Sequence, residues 1–170
     1  RLHSFDTFKI YPANLFVSSK ENTDKSVWEI QQDLEKQKQF FIDQNLEVEA
    51  SRLEERTLYD LEMIKELGYC SGIENYSRYF DRRQPGERPF CLLDYFPDDF
   101  LLVVDESHVT IPQVGAMYGG DRSRKVNLVE HGFRLPSALD NRPLTSEEFN
   151  GMLNQCCLLY TSPSPRDGIG

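Results

Sequence analysis

The feature that most constrains the fold is an apolar run at residues 100–104, which leads directly into the carboxylates of Asp105 and Glu106. An apolar run without polar alternation is typical of a strand buried on both faces of a parallel sheet. In nucleotide hydrolases, one carboxylate at the end of such a strand holds Mg²⁺ and a neighbouring one acts on the attacking water. The run therefore predicts an α/β fold with a site at this strand end. Carboxylates also end apolar strands simply because they are soluble there, so a purely structural role stays open.

Composition limits the classes of function that the chain supports. With 170 residues it can bury one core, and its net charge of -9 gives no overall attraction to phosphates, so any nucleic-acid contact has to be local. The sequence contains no apolar run of the roughly 20 residues that a membrane helix needs and no secretory signal, which predicts a cytoplasmic protein without a membrane partner. The four cysteines lack the spacing of a zinc site, so we expect reduced thiols.

An antiparallel pair of helices is predicted for residues 23–68, after a strand and loop in residues 1–22. Thr23 or Ser26 is available to cap the first helix, and Gly68 stands where a left-handed C-cap would end the second. Apolar residues recur at helical spacing in both halves, so each helix has one face for the core. These residues are Val27, Ile30, Leu34 and Phe41 in the first helix and Leu46, Ala50, Leu53, Leu61 and Ile64 in the second.

Two segments in and after these helices allow either a structural or a DNA-binding interpretation. Arg52 and Arg56 lie beside Glu54 and Glu55, which favours a solvated face with weak ion pairs, although either arginine could contact phosphates. Residues 69–79 combine three tyrosines with an amide and a guanidinium. This mixture suits stacking on bases, but it also packs polar seams between structural elements.

A helix is predicted to follow the apolar strand. Residues 110–114 start it, because Pro112 fits the first turn, where its missing N–H costs nothing. Further on, Arg122, Arg124 and Lys125 form a basic cluster. Such a cluster is most often a solvated face, but in a DNA-binding protein it could follow phosphates.

The last third of the chain is predicted to end in a short helix and a tail. Residues 135–143 are typical of a loop, and Thr145 with Glu148 forms a capping box that opens the last helix. Residues 156–170 have Ser-Pro repeats and a glycine-rich end, and they resemble a translated sequencing adapter. We therefore expect a non-native-looking, disordered tail there.

Five blocks of sequence, in order along the chain, resemble the UvrB family, the damage-loading component of the bacterial UvrABC nucleotide excision repair system. The resemblance covers about residues 5–155. The blocks are Ser71-Gly-Ile-Glu-Asn-Tyr-Ser77, Leu93-Asp-Tyr-Phe-Pro-Asp-Asp-Phe100, Asp105-Glu-Ser-His108, Met117-Tyr-Gly-Gly-Asp-Arg122 and Gly132-Phe-Arg-Leu-Pro-Ser-Ala-Leu-Asp-Asn-Arg-Pro-Leu144.

The resemblance implies a fold and a catalytic site. The fold would be α/β, an incomplete parallel sheet from a superfamily 2 helicase-type P-loop NTPase lobe, with the helical hairpin inserted as an accessory subdomain. Residues 69–155 would then be the end of the first helicase lobe, and Asp105-Glu-Ser-His108 resembles its motif II, the Walker B equivalent. By that similarity Asp105 would hold Mg²⁺, Glu106 would act on the attacking water, and His108 would couple the nucleotide to the second half of the motor.

The resemblance also implies a DNA-binding site and partners. Arg56, Glu74 and Arg134 fall where residues of the family face the DNA path. The partners of the family are damaged double-stranded DNA, UvrA, which loads the protein, and UvrC, the nuclease that it recruits. The parent protein is thus expected to be a DNA-dependent ATPase that recognises and verifies damage.

One part of the family's nucleotide site is missing from the sequence. The glycine-rich loop G-x-x-x-x-G-K-[ST] does not occur in the 170 residues, so we expect an internal segment of the family's chain. ATP and Mg²⁺ would be cofactors of the complete parent, with none bound to this chain and no hydrolysis by it alone. The alternative is a non-catalytic helical interaction module whose acidic strand end is structural.

Overall fold

The computed structural model describes residues 19–160, so most of the predicted strand and loop of residues 1–22, and residues 161–170 of the predicted tail, lie outside the described part. That part is mostly helical with one small parallel sheet. None of its helices is both long and apolar enough to cross a membrane. The elements are α1 (Lys20–Asp43), α2 (Glu47–Leu67), α3 (Ser77–Phe80), β1 (Leu101–Val104), α4 (Ser107–Glu130), α5 (Ser146–Met152), β2 (Gln155–Leu158) and 3-10 helices at Ile73–Tyr76, Leu92–Tyr95 and Pro136–Asp140.

The predicted helix pair, α1 and α2, forms the main core. The apolar stripes of the two helices face each other and exclude water, so the pair stabilises itself by burying its own apolar surface. Gly68 ends α2 in the left-handed conformation at φ 71°, and its N–H donates to the Ile64 carbonyl, as predicted. Residues after the pair complete this core with Cys70, Ile73, Tyr76, Tyr79, Phe80 and Leu135.

The start of α1 differs from the prediction. Ser19 caps the helix, because its hydroxyl accepts a hydrogen bond from the Asn22 N–H at 3.3 Å. Thr23 and Ser26 therefore lie inside the helix. The Ser26 hydroxyl is buried and donates to the carbonyls of Asn22 and Tyr79, at 2.8 and 3.1 Å, so it links α1 to α3 and does not cap.

The predicted strand is present, but the expectation that both its faces are buried is wrong. β1 is one of two strands in the described part, and its parallel partner β2 aligns Leu101 with Gln155 and Val104 with Leu158. Leu101 is 61% exposed and Val103 is 52% exposed, whereas Val104 is buried. The reason is that no helix of residues 19–160 covers the face that carries Leu101 and Val103.

The beginning of the predicted disordered tail is also wrong, because Cys156 lies inside β2. Beyond the strand, the Leu159 N–H donates to the Val104 carbonyl at 2.8 Å, and the Ser107 N–H donates to the Leu159 carbonyl at 3.0 Å. Residues 156–160 are apolar or aromatic, and the open edge of β1 offers them unpaired backbone groups. Backbone pairing therefore orders this segment even though every residue of β2 is exposed.

The helix after the strand begins earlier than predicted. α4 starts at Ser107, so Pro112 lies in its second turn and the His108 carbonyl has no intrahelical N–H donor. The helix continues to Glu130 and carries the predicted basic cluster, of which Lys125 is buried. Residues 135–143, predicted as a loop, contain a 3-10 helix, whereas the capping box of Thr145 and Glu148 is confirmed.

Candidate functional site

The first candidate site lies where β1 passes into α4. The Asp105 carboxylate accepts a hydrogen bond from the Glu106 N–H at 2.9 Å, and the Asp105 carbonyl accepts one from the Thr110 hydroxyl at 3.0 Å. Glu106 makes the turn with φ at 47°, a left-handed conformation that residues other than glycine rarely adopt. Backbone strain of this kind is concentrated at functional sites.

His108 completes this strand-end site. Its Nδ1 lies 3.5 Å from the Glu106 carboxylate, and its ring packs against Tyr160 with the centroids 4.5 Å apart. Asp105, Glu106 and His108 are all accessible from solvent, so ligands can reach them. The fold thus brings together the three residues that the sequence predicted as catalytic, at the carboxyl end of a parallel strand.

The donor atoms of this site suit a Mg²⁺ ion bound together with a nucleotide better than a metal ion whose ligands all come from the protein. Among residues 19–160 no group of three or more His, Cys, Asp or Glu side chains is arranged to hold a metal ion. Mg²⁺ bound with a nucleotide needs no such group, because one or two carboxylates, phosphate oxygens and waters complete its octahedron. The exposed carboxylates of Asp105 and Glu106 fit that requirement.

The second candidate site surrounds the turn at residues 70–72. Arg56 reaches this turn from α2 and donates to the Ser71 carbonyl at 3.2 Å. Arg134 also approaches this turn, because one of its guanidinium nitrogens lies 3.7 Å from the point where a Cβ on Gly72 would stand. Glu74 is exposed on the 3-10 helix that follows the turn. The three predicted DNA-facing residues therefore share one neighbourhood.

The electrostatics at Cys70 reflect this proximity. The Cys70 thiol is fully buried, and burial, aided by the charge of Asp60, raises its pKa to about 12. Glu74 raises the pKa further, whereas Arg56 and Arg134 act against the shift. Cys70 is therefore a protonated core residue and no nucleophile, and the three charges act on it because they lie around it.

A buried carboxylate that the sequence analysis missed holds Arg56 in position. Asp60 is 2% exposed, and its two oxygens lie 3.1 Å from Nη2 and 3.2 Å from Nε of Arg56. The Tyr76 hydroxyl donates to the same carboxylate at 2.9 Å, and burial raises the pKa of Tyr76, so it stays a donor. The signal in the sequence was a carboxylate within the apolar stripe of α2, four residues after an arginine.

Glu74 and Arg134 also line a groove of about 430 Å³ that carries further cations. Lys125 turns inward from α4 and is 6% exposed, with its ammonium 2.8 Å from Asp121. Arg124 is exposed but also lines this groove, whereas Arg122 is exposed outside it, so the predicted basic cluster divides between the groove and solvent. Arg142, which the sequence analysis assigned only to a loop, forms a two-bond ion pair with Glu148 at the groove's far side.

The predicted solvated face of weak ion pairs on α2 is not what Arg52 and Arg56 form, because Arg56 pairs with the buried Asp60. Arg52 donates to the His131 carbonyl at 2.7 Å and stacks on the Phe133 ring, so it fastens α2 to the end of α4. The two segments approach so closely at Gly132 that a Cβ there would overlap the Glu49 carbonyl. Arg52 is thus a packing residue, which separates it from Arg56.

Known proteins are similar in sequence to this chain over nearly its whole length. A family model described as the UvrB third helical domain matches residues 21–82. UvrABC system protein B of Bacteroides fragilis is 62% identical over 163 residues, which are 96% of this chain and 24% of that protein. The same protein of Cytophaga hutchinsonii is 60% identical over 98% of this chain and 24% of its own. The chain belongs to the UvrB family.

The extent of the UvrB match adds two facts. UvrABC system protein B of Synechocystis is 56% identical over 95% of this chain and again 24% of its own length. The chain therefore spans about a quarter of the curated relatives that it matches. A match that covers 98% of this chain also extends past Gln155, where the resemblance to the family was expected to end.

Proposed function

We propose that this chain is part of the ATPase that recognises and verifies DNA damage in bacterial nucleotide excision repair, which UvrA loads on damaged DNA and which recruits the UvrC nuclease. The observation that carries the proposal is that the residues assigned to nucleotide and to DNA form two separate clusters in a chain of the UvrB family. The same proposal makes β1, β2 and α4 part of a superfamily 2 helicase lobe, which suits their parallel pairing. The protein then works in the cytoplasm, where bacterial DNA lies.

The strand-end site supplies the protein's part of phosphoryl transfer. Asp105 would hold Mg²⁺ through its carboxylate, and Glu106 would accept a proton from the attacking water. His108, in contact with Glu106, orients that carboxylate and links it to the rest of the motor. ATP with Mg²⁺, when bound, supplies the phosphoryl group and neutralises its charge. The glycine-rich phosphate loop does not occur in this sequence, so these residues are one half of a nucleotide site.

The turn at residues 70–72 supplies the DNA contact. Arg56 and Arg134 put positive charge on both sides of this turn, in a chain whose overall charge repels phosphate. Because Asp60 fixes Arg56, its guanidinium is oriented before DNA arrives. Glu74 repels phosphate groups that lie in the wrong position, so it contributes to the discrimination of damaged from undamaged DNA and not to the binding of phosphate.

The alternative of a non-catalytic interaction module required a structural role for the acidic strand end. In that case Asp105 and Glu106 would be buried in ion pairs. Both are exposed, and Glu106 contacts a histidine of its own motif. Their exposure meets the requirement of a nucleotide site, which burial would not.

The DNA contact is tested in a full-length UvrB-family protein that carries this segment. Replacing both Arg56 and Arg134 with alanine is expected to weaken binding to damaged duplex. It should also reduce the slope of log affinity against log salt by roughly 2, since each lost phosphate contact releases about one counterion fewer. Lys65→Ala, an exposed cation on the same helix as Arg56, is the matched control and should leave the slope unchanged.

The third residue of this site has a different expected effect. Glu74→Gln should change the ratio of affinities for damaged and undamaged duplex more than it changes either affinity. An unchanged salt slope in the double arginine variant, or equal effects of Glu74→Gln on both duplexes, would contradict the proposed DNA path.

A further inference from the structure

A second groove on the molecule carries the chain's single tryptophan. Trp28 lies on α1 and is 60% exposed, although the neighbouring Val27 and Ile30 are buried in the core. Tryptophan is highly buried on average in folded proteins, so an indole with this exposure is unusual. It lines a groove of about 560 Å³ between α1 and residues 78–85.

The charge of this groove is opposite to that of the whole chain. Five cationic side chains and two carboxylates line it, whereas the chain has a net charge of -9. The cationic residues come from two separate segments, α1 and residues 78–85. They are Lys25, Lys36, Arg78, Arg82 and Arg83, and the carboxylates are Glu29 and Asp33.

Internal contacts neutralise the carboxylates and leave positive charge at the rim. Arg78 binds Asp33 at 2.9 Å, and Arg82 binds Glu29 at the same distance. Lys36 also contacts Asp33, but its side chain is 75% exposed and remains accessible. Lys25 forms no ion pair within residues 19–160. The floor is therefore a fixed polar network, and the two lysines above it carry the available charge.

The order of residues along α1 matches an alternation of phosphate and base. Lys25, Trp28, Gln32 and Lys36 are three or four residues apart, so their side chains lie along one side of the helix. The two lysines are separated by about 16 Å of helix, with the indole and the amide between them. An aromatic face with cations one or two turns away on both sides is the arrangement that binds unpaired bases and their backbone.

We propose that this Trp28 groove binds single-stranded nucleic acid, with a base stacked on Trp28 and backbone phosphates at Lys25 and Lys36. The site shares no residue with the DNA path proposed at Arg56 and Arg134 and does not rest on it. Stacking needs an unpaired base whose face is open, which excludes an intact duplex from this contact. An acidic peptide would match the charge but would leave the indole without a flat partner, since a peptide anchors through apolar pockets and this groove is mostly polar.

Trp28 itself reports on the proposal, because no other tryptophan contributes to the fluorescence of the chain. Titration of the chain with a short oligothymidylate should quench this fluorescence. Lys25→Ala combined with Lys36→Ala should weaken binding and lower its salt slope by about 1.4, the value for two phosphate contacts on a single strand. Trp28→Ala, measured by anisotropy of a labelled oligothymidylate, should weaken binding by about 5- to 150-fold.

Matched variants separate this groove from general attraction to a polyanion. Lys20→Ala removes an exposed cation from α1 outside the groove, and Tyr95→Ala removes an aromatic residue that is 78% exposed elsewhere. Neither variant should change the affinity. Circular dichroism checks that each variant keeps its helices.

Three outcomes would overturn the proposal. The first is an oligothymidylate titration that leaves Trp28 fluorescence unchanged, and the second is equal quenching by a poly-glutamate peptide, which would make the occupant an acidic peptide. The third is binding that depends on Arg134 and not on Trp28, which would leave the proposed DNA path intact while removing this second site.

Discussion

The helix pair and the small sheet differ in what holds them together. α1 and α2 bury their own apolar stripes, with Ile30 and Leu53 fully excluded from water. β1 and β2 are joined through backbone hydrogen bonds, and Leu101 and Val103 remain largely exposed. Of the residues proposed to face DNA, Arg56 lies on α2 and Arg134 lies close to the turn that follows it, whereas Asp105 and Glu106 lie directly after β1. The proposed DNA contact is therefore attached to a buried core, and the strand-end site to a sheet that keeps one face exposed.

The largest expected effect is the difference in stability lost when one apolar side chain is truncated to alanine in each region. Leu53→Ala leaves a cavity between the helices and should lower the free energy of unfolding by about 2–5 kcal/mol. Val103→Ala removes a side chain that is half in water and should cost no more than about 0.5 kcal/mol. Urea unfolding followed by circular dichroism measures both. Equal losses would mean that the sheet shares the core of the helix pair.

A smaller and local effect is expected when the chain is truncated after Asn154, which removes β2. The backbone amides of β1 should lose their protection from hydrogen exchange, because their pairing partner is gone. The melting temperature of the helices should stay essentially unchanged, since every residue of β2 is exposed. A drop of several degrees would show that β2 supports the core of the helix pair.

The smallest expected effect is a pH dependence at the ion pair of Arg142 with Glu148 on α5. The hydrogen bond from Arg142 lowers the pKa of Glu148 to about 2, below its usual 4.5, although burial acts against the shift. A carboxyl whose folded pKa is lowered stabilises the fold above its unfolded pKa, and this contribution disappears as the pH falls from 4.5 through about 2.

The matched variant isolates this contribution. Glu148→Gln should lower the melting temperature slightly at pH 7, and this difference should shrink as the pH falls toward 2, because Glu148 then takes up a proton and loses its charge. A difference that does not shrink would assign the stability to the capping box, which Glu148 also forms with Thr145.

Local patterns in the sequence predicted which helices and strands form better than they predicted how these elements pack against one another. Apolar spacing and Gly68 indicated the helix pair, because both act within a few residues. The start of α1 was missed because Ser19, Thr23 and Ser26 are all residue types that cap helices. The hydrogen bond from Ser26 to the Tyr79 carbonyl, which is distant in sequence, shows that Ser26 has a packing role and is not the cap. The exposure of β1 depends on which elements cover it, and its own sequence does not contain that information.

The candidate sites divide in the same way. Asp105, Glu106 and His108 are close in sequence, so their proximity could be predicted. Arg56 and Arg134 meet at one turn only because α2 and the end of α4 pack together, and family resemblance, not local pattern, indicated them. Asp60 was missed because an apolar stripe does not predict a buried carboxylate. Its burial depends on Arg56 and on Tyr76, and the contact with Tyr76 comes from a different element.

The most direct test of the account is ATP turnover and affinity, with and without Mg²⁺, in a full-length UvrB-family protein carrying this segment. We predict that Glu106→Ala abolishes turnover while ATP still binds, and that Asp105→Ala also weakens the Mg²⁺-dependent part of binding. The chain by itself should not hydrolyse ATP above background, since it lacks the phosphate loop. Substantial turnover by Glu106→Ala, or ATP hydrolysis by this chain alone, would contradict the roles assigned to the strand-end site.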